Sequence, residues 1–136
     1  MADDFTQCMV SNSRMAARAI TRRYDAYLRP YGVTATQLSL MGGIRQWPGS
    51  TVSRLAEARG FERTTLTRNL DKLEQMGLVA SSAQGRGRVP ALTKKGEALI
   101  EKLLPLWRNA QAELRTELSS ETFDDSINML KRLSKV

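Results

Sequence analysis

The chain has 136 residues, a formal charge of +7, one Cys and no His, with 41% apolar and 26% charged residues. That length and composition suit one domain with a modest core, and no apolar run approaches the roughly 20 residues of a membrane span. Without His and with a single Cys, the usual general base, a zinc ligand set and an internal disulfide are excluded.

The opening MADDFTQCMV lacks a basic n-region and a secretory core, so a cytoplasmic location is expected. A lone Cys fits a reducing compartment. Residues up to about Thr6 read as frayed. From Met9 to about Pro30 the pattern is helical. Ala16, Ile20, Tyr24, Tyr27, Leu28 and Tyr31 follow i, i+3 and i+4 steps. Arg14, Arg18 and Arg22 recur every four residues as a basic stripe, best read as a solvated face. Thr34-Ala35-Thr36-Gln37 is a capping-box sequence that starts a second helix. This helix carries Leu38, Met41 and Ile44 and ends near Trp47-Pro48-Gly49. Its Gly42-Gly43 pair suggests close packing against another helix.

Next come a short helix, a glycine turn and a longer helix. Thr51 can cap the short helix, Leu55 and Ala56 form its buried side, and Gly60 ends it. Phe61 can staple onto Leu66, with Glu62 at the N-cap of a helix running from about Arg63 to Met76. Leu66, Leu70 and Leu73 mark the inward face. Thr64, Arg68, Asp71, Lys72 and Gln75 fall opposite, with Thr65 and Thr67 on the flanks. Gly77 stops the helix. Two extended runs, Leu78 to Ser82 and Val89 to Leu92, follow, joined by Ala83-Gln84-Gly85-Arg86-Gly87-Arg88. Arg86 and Arg88, set between glycines, suit a minor groove or a phosphate backbone better than a core. Thr93 caps a long helix whose stripe is Leu99, Leu103, Leu106, Trp107, Ala110, Leu114 and Leu118, with a kink expected at Pro105. Ser119 or Ser120 caps a last helix bearing Phe123, Ile127, Leu130 and Leu133.

The order helix, turn, helix, arginine-tipped hairpin is that of a winged helix-turn-helix. Short hydroxyls near the start of the second helix permit close approach to a major groove, and Arg68 can reach a base edge or a phosphate. The charge agrees. Residues 51–96 hold nine Lys and Arg against four Asp and Glu; residues 1–50 hold six against three and residues 97–136 six against seven. Candidate contacts to double-stranded DNA are Ser53, Arg63, Thr64, Thr65, Thr67, Arg68, Lys72, Arg86 and Arg88. No phosphate-cradling or dinucleotide fingerprint occurs. Asp3/Asp4 and Asp124/Asp125 read as solubilising or capping charges near the ends. An enzyme is therefore the least supported reading, and no cofactor or metal is expected. The stronger rival is a winged-helix module that holds a partner protein with the same helix.

TVSRLAEARGFERTTLTRNLDKLEQMGLV, the basic turn GRGR and ALTKKGEALIEKLLPLW resemble the MarR family of winged-helix transcription regulators, and a weaker likeness extends over Cys8 to Gln46. The resemblance implies a mainly α fold with a small β-hairpin wing. Residues 1–33 and 94–136 would form a helical dimerisation region and residues 34–93 the DNA-binding region. It implies a homodimeric repressor that reads a pseudo-palindromic operator and is released by a small aromatic or phenolic effector or by oxidation. The wing Asp that pairs with a wing arginine in that family is replaced here by Gln84. By the same resemblance, Arg14, Met15, Tyr24, Met41 and Trp47 are candidates for an effector pocket, although ordinary core packing explains such aromatic and Met residues as well. Cys8 lies where the hydroperoxide sensors of that family carry a peroxidatic thiol. A small hydrophobe at a dimer interface is the reading we favour for it.

Overall fold

Local capping signals set the helix boundaries of the computed structural model, which describes residues 2–85 and 87–135. Helix α1 spans Met9–Leu28, and a 3-10 turn at Arg29–Tyr31 follows it. The expected capping box opens α2, Ala35–Gln46: the Thr34 hydroxyl accepts from the Gln37 N–H and Gln37 accepts from the Thr34 N–H. The Thr51 side chain caps α3, Val52–Arg59, and Gly60 closes it in the left-handed conformation that glycine adopts without strain. Helix α4 covers Arg63–Gln75. Strands β1, Val79–Gln84, and β2, Gly87–Leu92, form an antiparallel hairpin. Thr93 caps α5, Lys94–Leu118, and Ser119 caps α6, Ser120–Leu133.

The core is a leucine-rich junction. Leu40 and Met41 of α2, Leu55 of α3, Leu66, Leu70 and Leu73 of α4, and Ile100 and Leu103 of α5 are enclosed together with Leu28 and Leu78. This packing fixes α4 by its inner row and turns its other side outward. Helix α1 lies along α5, where Tyr24 and Tyr27 donate to Gln111 and Glu113 and Arg23 grips Glu117 at 2.6 Å. Arg45 of α2 reaches Glu97 and Glu101 of α5. The start of α5 is drawn tightly onto the end of α4. The Thr93 hydroxyl donates to the Gly77 carbonyl at 2.6 Å and the Lys95 ammonium to the Met76 carbonyl at 2.8 Å. Gly96 sits so close to the Leu78 backbone that a Cβ there would lie 2.1 Å from the Leu78 carbonyl oxygen.

Several expectations need correction. The first residues are not frayed throughout: Phe5–Gln7 form a 3-10 turn, capped by the Asp4 carboxylate and tied to α1 by Asn12 donating to the Thr6 carbonyl. The hairpin loop is shorter than six residues. Cross-strand pairing continues to Ala83↔Arg88 and Gln84↔Gly87, so Arg88 belongs to a strand. Helix α5 contains Pro105, and its buried side within the chain is Gly96, Ile100, Leu103 and Ala110, whereas Trp107 and Leu118 are exposed. Of the expected α6 stripe only Phe123 is buried. A Cβ at Gly43 would meet Arg59 and Leu55 of α3 only at ordinary contact distances, and one at Gly42 would meet nothing within 4 Å, so neither glycine is demanded by packing within the chain. Among the described residues, no helix is long and apolar enough to cross a membrane.

Candidate nucleic-acid interface

Leu66, Leu70 and Leu73 are each 0% exposed, and they dictate what α4 shows to solvent. Arg63, Thr64, Thr67, Arg68 and Lys72 all stand exposed on α4, and Thr65 is half-buried at its flank. Arg63, Thr64, Thr67, Arg68 and Asp71 line one open depression. Ser53 is exposed on α3. Glu62 makes no side-chain hydrogen bond to the start of α4. The first-turn N–H groups therefore remain available, and the helix dipole adds positive potential beside Arg63. Among the described residues, Arg63, Arg68 and Lys72 have no ion-pair partner. The arrangement is a protruding helix with short hydroxyls between uncommitted cations, suited to a polyanion with a groove wide enough for a helix.

The wing differs from expectation. Arg86 lies outside the described residues. Arg88 is not a free cation: its Nη2 lies 3.1 Å from Asp71 Oδ1 and 2.9 Å from Glu74 Oε2. Its Nε donates to the Ser81 hydroxyl at 3.2 Å, and that hydroxyl donates in turn to Glu74. Burial works against the Arg88 charge, but its bonds to Glu74 and Asp71 outweigh that and raise its pKa. The Ser81 hydroxyl holds the Glu74 carboxyl below its usual range against the opposing effect of burial, and Arg88 adds to the lowering. Arg88 thus ties the hairpin to α4 through two carboxylates of α4. Asp71 and Glu74 are one helical turn apart, and that spacing was the available signal for a shared cation. Which cation it would be depended on how the hairpin folds back.

The expected effector residues separate. Met41 is fully enclosed in the core because it shares the buried side of α2 with Leu40 and Ile44. Trp47 is 40% exposed, with the Arg59 guanidinium 5.6 Å from its ring centre. Tyr24 is half-buried against α5, while Arg14 and Met15 stand exposed on α1. Cys8 is half-buried at the N-cap of α1. The Ser11 N–H and hydroxyl, and then the Val10 N–H, favour its thiolate and lower its pKa. Tyr24 and Tyr27 are engaged by α5 of the same chain.

Comparison with known proteins agrees with this geometry. The model of the MarR family matches residues 33–84. The M. tuberculosis transcriptional regulator MosR is 37% identical, with a TM-score of 0.85 over 98% of this chain and 100% of that one. MosR in complex with DNA gives 39% identity and a TM-score of 0.84 over 95% of each chain. A mutant E. coli MarR complexed with operator DNA is 25% identical, with a TM-score of 0.83 over 97% of this chain and 99% of that one.

Proposed function

The chain belongs to the MarR family of DNA-binding transcriptional regulators, and from that premise we propose that it is a cytoplasmic, homodimeric repressor reading a pseudo-palindromic operator with α4. The observation that carries this reading is the outer face of α4, where Thr64, Thr67 and Arg68 stand exposed beside the unpaired Arg63 and Lys72. MosR and E. coli MarR, which share the fold, have each been solved on DNA, which supports duplex DNA as the partner. The terminal helices, residues 1–33 and 94–136, would join two copies, and residues 34–93 would enter successive major grooves about one helical turn apart. Release is assigned to a small aromatic ligand or to oxidation of Cys8, either of which would change the separation of the two α4 helices.

The test is selection of duplexes from a randomised pool, followed by titration at low and high salt. A two-fold symmetric site should emerge, and its affinity should fall steeply with salt. Arg68→Ala should relax discrimination at one base pair of each half-site by about 1–3 kcal/mol. Failure to enrich any sequence would end the proposal and favour a protein-binding role for the same helix. Peroxide and a panel of aromatic acids, added to the bound complex of the parent and of Cys8→Ser, separate the two triggers.

A further inference from the structure

Gln37 is the one buried polar side chain among the described residues, at 6% exposure inside a leucine-rich core. A buried amide is costly unless its hydrogen bonds are met. Here its oxygen accepts the Thr34 N–H at 3.1 Å, and its Nε2 donates across to Asn69 Oδ1 of α4 at 3.5 Å. Asn69, half-buried at the edge of the leucine row, donates at 3.0 Å to the carbonyl of Thr65 one turn earlier. The start of α2 is anchored from the other side, where the Asp25 carboxylate of α1 accepts the Ala35 N–H at 2.6 Å. A line of directional contacts therefore crosses the core from α1 to the flank of the DNA-facing side of α4.

Leucine packing is strong but poorly directional, and the Arg88 contacts to Asp71 and Glu74 lie toward the end of α4, so without a directional contact nearer its start the reading half of the helix could roll at small cost. A roll of about 10° displaces an atom about 9 Å from the axis, such as the tip of Arg68, by about 1.5 Å, enough to lose a base-edge hydrogen bond. The Gln37–Asn69 contact lies to one side of the leucine row, where it opposes such a roll.

We propose that Gln37 and Asn69 are positioning residues for DNA specificity: they fix the rotational setting of α4, and through it which bases Arg68 and the threonines address. This rests on the reading of α4 as the DNA-reading helix. The experiment uses the full-length protein, a duplex enriched by the parent from a randomised pool, and a scrambled duplex of the same composition. Gln37→Met and Asn69→Leu keep the volume and remove the contact. Each should lower the ratio of selected to scrambled affinity about tenfold, the worth of one base contact. Affinity for the scrambled duplex and its salt slope should stay unchanged, because the phosphate-facing cations remain. Thr34→Ala weakens the cap of α2 but leaves the contact to Asn69. It should lower the melting temperature with the ratio preserved, and so identifies what stability loss alone does. An unchanged ratio in Gln37→Met and Asn69→Leu would overturn the inference while leaving α4 as the reader. A parent that enriches no duplex would overturn both.

Discussion

Arg68 and Arg88 were alike as letters in a basic stretch, yet their surroundings give them different work. Among the described residues Arg68 stands exposed without an ion pair, whereas Arg88 is held by Asp71, Glu74 and Ser81. Glu74 carries a testable sign. Its folded-state pKa lies below its ordinary value, so the stabilisation it contributes is complete above that value and fades as pH falls through the folded one. Amide exchange in β1 and β2 should therefore quicken, relative to the helical core, as pH drops from about 6 to below about 4. Glu74→Gln should exchange quickly at both pH values. Equal protection of the parent across that range would mean that Arg88 does not steady the hairpin. Sequence reasoning placed Asp71 correctly on the outer side of α4 but could not find this cluster, because Arg88 is brought to α4 only by the hairpin folding back. For Met41 it offered both a ligand contact and core packing, since amphipathic spacing does not distinguish the two, and the structure encloses it in the core.

At the scale of elements, the boundaries were legible because caps are local. Thr34, Thr51, Gly60 and Thr93 act on backbone groups within four residues of themselves, and each performs as its type dictates. Close approach between elements was not legible. Gly42 and Gly43 looked like a packing device, yet a Cβ at Gly42 would meet nothing within 4 Å. Gly96, unremarked in the sequence, is the glycine with no room: a Cβ there would lie 2.1 Å from the Leu78 carbonyl oxygen. The two sites predict opposite outcomes in urea unfolding. Gly42→Ala should raise stability by about 0.8–1 kcal/mol, the difference in helix propensity. Gly96→Ala should lower it by about 1–3 kcal/mol, as overpacked sites do. Equal effects would show that the approach of α5 to Leu78 is not a constraint.

At the scale of the whole molecule, the terminal helices carry more apolar surface than one chain covers. Met9, Val10 and Met15 of α1 and Met129, Leu130 and Leu133 of α6 are all about half exposed or more. Periodicity marked Leu130 and Leu133 but not Met9, Val10, Met15 or Met129, and nothing among the described residues covers them. A second copy is the occupant proposed above. Leu130→Asp, which puts a charge on that surface, should shift the protein toward monomer in sedimentation equilibrium. It should also weaken binding to a selected palindrome far more than binding to random duplex, because only a dimer engages both half-sites at once. A variant that stays dimeric with unchanged affinity would place the interface elsewhere.

The junction where Thr93, Lys95 and Gly96 clasp Gly77, Met76 and Leu78 leaves little play between α4 and α5. In a two-fold assembly joined through the terminal helices, each reading helix would then swing as the short arm of a lever whose long arm is α5. The distance between half-sites would follow from the angle at which the two long arms cross. An effector that pried those arms apart by a few degrees, far from the DNA, would put the reading helices out of step with the turns of the duplex.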